Sequence, residues 1–362
     1  MKVTFDDQIF RLQSRGGVSR YFAEIIREYR LSPDLGVQPV TPYKLVANHH
    51  LVESDSRYRL IPKEVAIRHP RGVRTINRLM NPFLSQSEVV HHTFYEPRSL
   101  AIRAKARICT IYDMIPEKFP ELFPEGSPHA GKRQVVEECD GLLCISETIK
   151  EDLENCYGAI DKPVIVTPLG VSSRCFHVGA TWPQDPPYVL CVGMRGGYKN
   201  FWTLLLAFAR VAKARADLKL LCAGPPFHSE ERGLFEQWNI TDRVERVELS
   251  DSELPAVYAG ALCAVVPSLY EGFGLPILEG FAAGCPVVAA ETPALCETGG
   301  DCALYFDPHD DLALAETIIA LMENPSMSEQ NVIRGRERAR RYSWQQTARL
   351  TAEAYHAIVG ST

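Results

Sequence analysis

The sequence lacks the features that would mark a membrane-spanning, secreted or nucleic-acid-binding chain. No run of apolar residues approaches the roughly 20 needed to span a bilayer. Positive charge is not in excess: 39 Lys and Arg face 45 Asp and Glu, for a formal charge of -6. This argues against a nucleic acid as main partner, because its phosphates demand a net basic surface somewhere on the protein. No zinc-finger or RNP-like pattern is present either. The 11 cysteines include no C-x-x-C pair and no His/Cys spacing of metal-site type, and an odd number cannot all pair within one chain. Buried thiols in a reducing cytoplasm are expected. No Asp-x-Asp carboxylate pair offers itself to a divalent ion, so no metal is expected. Met1 to Asp7 runs from strand-like into acidic residues, so no secretory leader is expected. The expected location is the cytoplasm, in solution or at the inner face of the cytoplasmic membrane.

What the sequence does contain is the length and rhythm of a two-lobed α/β protein. At 362 residues the chain is too long for one ordinary core. Short apolar runs alternate with helical patterns, the signature of β-α-β units and parallel sheets. Strands are predicted near Lys2 to Phe5, Val37 to Val40, Val89 to His92, Arg107 to Ile111, Gly141 to Ile145 and Pro163 to Thr167. A second series covers Tyr188 to Val192, Leu218 to Cys222, Val244 to Val247, Leu262 to Val266, Pro286 to Ala289 and Ala303 to Phe306. Val18, Phe22, Ile25, Ile26 and Tyr29 fall at helical spacing after Gly16 and Gly17. The expected division is a first lobe at 1–177, a proline-rich linker from Val178 to Pro187, a second lobe at 188–342, and a last helix at 343–362 crossing back to the first lobe. Ligands of doubly wound sheets bind at the carboxyl ends of strands, so two facing sheets would enclose a cleft.

Chemistry is concentrated in the loops after predicted strands. The segment Ser268 to Glu279 follows a buried strand and opens a helix. Gly272 and Gly274 let backbone amides approach a ligand, Pro276 suits the first helical turn, and the helix N-terminus favours a phosphate. Glu271 belongs to the loop, and Glu279 lies about one turn into the helix, where ribose hydroxyls could reach it. Taken alone, a solvated glutamate pair flanking a turn would look the same. A second cluster, Val192 to Asn200, carries Arg195 and Lys199 on a glycine-containing loop, two cations that can both reach a diphosphate. The Gly16–Gly17 pair between the first strand and the first helix suits a phosphate cradle but lacks the full dinucleotide fingerprint. His91 and His92 end a strand on opposite faces, so at most one points into a site. Ser146 is placed to cap a helix, and Glu297 reads as a residue of the fold.

At Glu271 to Glu279 the sequence resembles the Glu-x7-Glu signature of family 4 of the retaining GT-B glycosyltransferases, the glycosyltransferase group 1 proteins. Gly284 to Ala289 is similar to the usual continuation. The resemblance extends over nearly the whole chain and is weakest between Tyr43 and Pro82. It implies a GT-B fold of two facing Rossmann-like domains, the first holding the acceptor and the second the nucleotide-sugar donor. It further implies metal-independent transfer with retention, with Glu271, Arg195 and Lys199 in the catalytic roles. Donor contacts would come from Gly16, Gly17, Arg195, Lys199, Gly272, Phe273, Gly274, Leu275 and Glu279. The family commonly has His-Asp where Tyr112 and Asp113 stand, which puts those two residues on the acceptor or sugar side; His92, at a strand end expected to face the cleft, is placed on the acceptor side as well. The nearest likeness is to bacterial polysaccharide and O-antigen mannosyltransferases. It implies a GDP-sugar donor in preference to a UDP-sugar and a glycan or lipid-linked oligosaccharide acceptor.

Two other classes fit the same residues: a nucleotide-sugar epimerase of related fold and a catalytically silent nucleotide-sugar binder. Residues 57–80 add a basic, partly apolar stretch (Arg57, Arg59, Lys63, Arg68, Arg71, Arg74 and Arg78 among Ile67, Val73, Ile76, Leu79 and Met80). It suits either contact with anionic lipid headgroups or a solvated face.

Overall fold

A computed structural model describes residues 1–80, 87–97, 103–124, 126–179, 181–183 and 185–361. The side chains of Arg78, Leu79 and Met80, counted above in the basic stretch, lie outside the described residues, as do Ala180 and Gln184 of the expected linker. The chain divides into two units, Met1–Gly170 with Trp344–Thr362, and Val171–Ser343. The first boundary therefore falls at Gly170, ahead of the expected residue 177. The reason is packing: the short turn of helix Ser173–Phe176 lies against the helices Leu254–Gly260 and Leu275–Ala283, with Cys175 buried. The expected linker also joins the second unit, where the Trp182 amide donates to the Ala256 carbonyl at 3.1 Å.

Strands in chain order are β1 (Lys2–Phe5), β2 (Gln38–Val40), β3 (Leu45–Val46), β4 (Arg59–Leu60), β5 (Val89–His92), β6 (Ala106–Ile111), β7 (Gly141–Cys144) and β8 (Val164–Val166) in the first unit. The second unit contributes β9 (Tyr188–Val192), β10 (Lys219–Ala223), β11 (Val244–Val247), β12 (Cys263–Val266), β13 (Val287–Ala290) and β14 (Leu304–Phe306). The first sheet is ordered β2-β1-β5-β6-β7-β8 and the second β11-β10-β9-β12-β13-β14, all pairs parallel. Strands β5, β7, β12 and β13 are buried along their whole length, as expected of parallel strands covered on both faces. In each sheet the chain order reverses once, between β1 and β5 and between β9 and β12, the place where sheets of this kind bind ligands at the carboxyl ends of their strands. The small β3–β4 pair was missed by the sequence reading, since two-residue strands carry no periodicity.

The helix Gly17–Leu31 covers the first sheet with Tyr21, Phe22, Ile25, Ile26 and Tyr29, each contributing about 1.5–3 kcal/mol on full burial. Val18, expected on that face, is only half-buried, and Tyr21 takes its place. The last helix, Trp344–Ser361, presents Trp344, Ala348, Ala352, Tyr355 and Ile358 at three- and four-residue steps to the same unit. Ile358 packs so closely on β7 that a Cβ at Gly141, the strand's first residue, would stand 2.5 Å from its Cδ1, so the close approach calls for glycine there. Ser146 caps the helix Glu147–Tyr157, its Oγ accepting from the Ile149 amide at 3.1 Å.

Candidate functional site

The second unit's switch point is built by the loops that follow β9, β12 and β14. After β9 the chain turns through Gly197–Lys199 and reaches Asn200, which holds a left-handed φ of 53° at the start of the helix Phe201–Ala214. Asparagine tolerates that conformation better than most residues, and here its side chain ties three loops together. Nδ2 donates to the Pro267 carbonyl at 3.0 Å and to the Pro308 carbonyl at 2.8 Å, while Oδ1 accepts from Thr203 at 2.9 Å. The Leu269 amide donates to the Tyr198 carbonyl at 2.8 Å and completes the stitch. Lys199 is thereby brought to Glu271, Nζ to Oε1 at 2.7 Å, with side chains 22% and 13% exposed. Ser268 Oγ donates to the same Oε1 at 2.7 Å.

Glu271 precedes the helix Leu275–Ala283, whose cap, Gly274, sits at φ 96°. A Cβ there would meet Leu295 Cδ2 at 2.7 Å, so both conformation and space call for glycine. Pro276 occupies the first turn, where a missing N–H costs nothing. Gly272 and Phe273 are buried, and Leu275 is half-buried. Phe273 packs edge-on against Tyr342, and its carbonyl accepts from Thr298 Oγ1. Glu279 points into a buried setting, where Tyr258 donates to its Oε2 at 3.3 Å.

Arg195 departs from its expected part. The residue is only 6% exposed: Nε donates to Glu231 Oε1 at 2.7 Å, and Nη2 to the carbonyls of Pro225 at 2.8 Å and Pro226 at 3.1 Å. Phe201 and Phe227 lie 5.5 and 4.6 Å from its carbon centre. Glu231 Oε2 also accepts from the His228 amide at 2.6 Å. Arg195 thus clasps the loop after β9 to the loop Gly224 to His228, while its Nη1 makes no hydrogen bond among the described residues. Proximity in sequence concealed this, because a buried arginine takes whichever carboxylate the fold delivers, and that one lies 36 residues away.

The first unit's switch point is filled from within. Asp6, just past β1, accepts from Gln8 Nε2 at 2.6 Å, the Thr93 amide at 3.1 Å and Thr93 Oγ1 at 2.5 Å. Its Oδ2 lies 3.0 Å from His92 Nδ1, with side-chain exposures of 4% and 0%. Burial raises the Asp6 pKa, but the bonds from His92 and Thr93 outweigh it and hold the carboxyl below its usual range. His91 is bonded to Tyr355 Oη at 2.6 Å and Thr110 Oγ1 at 2.8 Å, and burial beside His92 pushes its pKa down to about 3. Both histidines are core residues, against the expectation that His92 faces a ligand: β5 is covered on both faces. Tyr112, expected on the sugar side, is likewise buried, edge-on to Tyr21 and Phe22. Asp113 Oδ1 accepts the Ile115 amide at 3.1 Å, and its carbonyl accepts from Lys132 Nζ at 2.8 Å. Lys132 is buried and also pairs with Glu117 at 2.8 Å. Gly16 caps the helix Gly17–Leu31, and a Cβ on Gly17 would meet nothing within 4 Å.

In the basic stretch, Arg74 is spent on Glu96 at 2.8 Å and Arg57 on Asp55 at 2.7 Å, and Val73 is buried. Leu60, Val65, Ile67 and Ile76 are exposed beside the remaining cations. No helix among the described residues is long and apolar enough to cross a membrane.

Residues 176–338 match the family described as glycosyl transferases group 1. The second unit is a glycosyl transferases group 1 domain. The whole chain is similar to O-antigen chain mannosyltransferase B of Escherichia coli, 24% identical, covering 94% of this chain and 96% of that one. It is 30% identical to the MMP alpha-(1->4)-mannosyltransferase of Mycolicibacterium hassiacum over 63% of this chain, spanning about half (56%) of that relative's length. Among solved structures, sucrose-phosphate synthase from Thermosynechococcus elongatus superposes with a TM-score of 0.76 at 20% identity over 100% of both chains. HepE from Anabaena, in complex with UDP and glucose, gives 0.74 at 16% identity over 99% of this chain and 100% of that one. These likenesses show the fold, two parallel-sheet α/β domains of the GT-B type.

Within the group 1 domain the sequence reading singled out Lys199, Glu271 and the Gly274 turn but gave no task to Asn200, Ser268 or Glu231. Ser268 and Asn200 are end residues of the two chosen segments, and a polar residue at the edge of a motif after a strand was the available signal. Glu231 carried none, nor did Asp6 and Lys132 in the first unit.

Proposed function

We propose that this protein is a retaining hexosyltransferase that needs no divalent metal. It moves a sugar from a nucleoside diphosphate donor to a glycan or lipid-linked acceptor during synthesis of a bacterial surface polysaccharide. The observation that carries the reading is the Lys199–Glu271 pair, held at the switch point of a group 1 domain beside the N-terminus of the helix Leu275–Ala283. In this reading the C1–oxygen bond to the diphosphate breaks as the acceptor hydroxyl bonds to C1. The hydroxyl proton passes to a phosphate oxygen. Lys199 and the helix dipole meet the charge that develops on the leaving diphosphate, in place of a divalent metal ion. Glu271 holds hydroxyls of the transferred sugar, and Glu279 those of the ribose. Phe273, Leu275 and the amides at Gly272 and Gly274 line the donor side. Gly16 and Gly17 attend the diphosphate or sugar, and the first unit takes the acceptor. Arg195 supports the donor loop as a clasp.

The mannosyltransferase relatives favour GDP-mannose as donor, and the UDP bound to HepE makes UDP-sugars the comparison. The exposed apolar residues with Lys63, Arg68 and Arg71 favour contact with anionic lipid, each basic residue contributing about 1 kcal/mol near the surface. Incubation with GDP-mannose or UDP-glucose in EDTA, with and without a lipid-linked acceptor, tests the reading; NMR of the product reads the anomeric configuration. Folded Lys199→Ala and Glu271→Ala variants that transfer at the wild-type rate would overturn it. Sugar inversion without acceptor would identify an epimerase instead.

A further inference from the structure

The two hydrogen bonds to Glu271 both land on Oε1, one from Lys199 Nζ and one from Ser268 Oγ, each at 2.7 Å. Oε2 makes no hydrogen bond among the described residues. A carboxylate torsion is broad and nearly two-fold on its own. A lysine at the end of four methylenes does not narrow it much, since its ammonium can follow either oxygen. A second donor on the same oxygen does, provided that donor is itself fixed.

Ser268 is fixed on both sides. It is 2% exposed and directly follows Pro267, whose carbonyl accepts from Asn200 Nδ2 at 3.0 Å. It precedes Leu269, whose amide donates to the Tyr198 carbonyl at 2.8 Å. The backbone of Ser268 is therefore pinned to the very loop that carries Lys199, and both donors to Oε1 move as one body with it. Hydrogen bonds to a charged acceptor are the stronger kind, so Oε1 is saturated and Oε2 keeps a defined direction.

We propose that Ser268 is a positioning residue for glycosyl transfer: with Lys199 it saturates Oε1 of Glu271, so that Oε2 alone receives a hydroxyl of the donor sugar. The proposal rests on the reading given under Proposed function and adds a residue and an atom to it. Because Ser268 acts through Glu271, its removal affects the placement of the sugar in the transition state and leaves the grip on the nucleotide alone. Small misplacements of a reacting group cost large rate factors, whereas nucleotide affinity has no part in this contact.

The test compares full-length wild type, Ser268→Ala, Ser268→Thr, Glu271→Gln and the double variant Ser268→Ala/Glu271→Gln, with GDP-mannose as donor and GDP as the binding probe. Ser268→Ala is expected to lower kcat about tenfold, the size of one hydrogen bond to a charged group, with donor KM and the Kd for GDP within about twofold of wild type. Ser268→Thr, which keeps the hydroxyl, restores kcat to within about threefold. The double variant is no slower than Glu271→Gln alone, as expected of two groups acting as a unit. Wild-type kcat in Ser268→Ala overturns the proposal, as does multiplication of the two losses in the double variant. A tenfold loss of GDP binding in Ser268→Ala and Ser268→Thr alike assigns Ser268 to the frame of the loop and also overturns it. If the wild type itself binds GDP and transfers sugar from neither GDP-mannose nor UDP-glucose, the glycosyl-transfer reading has failed; a transferring wild type matched by Ser268→Ala sinks this proposal only.

Discussion

The two units share a plan and differ at the one place where the plan invites a ligand. Each has six parallel strands whose order reverses once, the point where sheets of this kind bind ligands at the carboxyl ends of two neighbouring strands. In the first unit that point is occupied by Asp6 and His92, 4% and 0% exposed, with Gln8 and Thr93 completing the bonds of Asp6. In the second it holds Lys199 and Glu271, 22% and 13% exposed, with one carboxylate oxygen left over. Topology supplies the switch point; the bonds its charged side chains make to one another differ between the two units.

That contrast is open to attack from several directions. The largest effect is expected in the first unit: Asp6→Ala strands a buried histidine and the Thr93 amide, and loses about 3–5 kcal/mol of stability. Urea unfolding measures it, and GDP binding per folded molecule stays unchanged; a stable Asp6→Ala protein with impaired transfer would make the first switch point a site after all. In the second unit Lys199→Ala leaves the fold intact and lowers kcat/KM about a hundredfold or more, as removal of one preorganised donor does, read by initial rates at matched thermal midpoints.

Next comes the acidity of the first core. His91, with its pKa pushed down to about 3, stays neutral in the folded chain, while the unfolded chain takes up its proton near 6.5. Its stabilising contribution is therefore complete above pH 6.5 and is lost as pH falls from 6.5 toward 3, by up to about 1.4 kcal/mol per pH unit. Asp6 has the same sign but begins lower, near its ordinary 3.8, and continues below it. A His91→Asn variant flattens the pH 3 to 6.5 part of the unfolding curve, and unchanged curvature would contradict the assignment. The smallest effect on the fold is expected at Gly17. With nothing within 4 Å of a new Cβ, Gly17→Ala changes stability by less than about 1 kcal/mol, yet slows transfer severalfold if a donor phosphate lies against it. Equal stability together with an equal rate would take Gly17 off the donor side.

The strands and the helices that cover them were legible because burial leaves a local trace: apolar runs of strand length and apolar residues at helical steps. The first-unit boundary was not, since Ser173 to Phe176 carries no composition that says which core Cys175 will join. At the candidate site, the turn at Gly274 could be read from glycine, proline and glutamate spacing alone. Arg195 could not be assigned, because the same basic residue on the same loop serves as a phosphate ligand or as a clasp according to whether a glutamate arrives beside it. His92 was placed on the sugar side as a strand end and Tyr112 by its position after a strand, and neither position told that the fold would bury the side chain.

By itself, then, the sequence determined two parallel α/β sheets, the loops that end at their strand tips, and the glycine turn before Leu275, because each depends on neighbours a few residues apart. Tertiary structure alone decided that Lys199 meets Glu271 across 72 residues, that Arg195 is taken by Glu231 across 36, and that Asp6 closes on His92 across 86. The physical reason is that a charged side chain is defined by the partner that satisfies it, and that partner is delivered by the order of strands in a sheet.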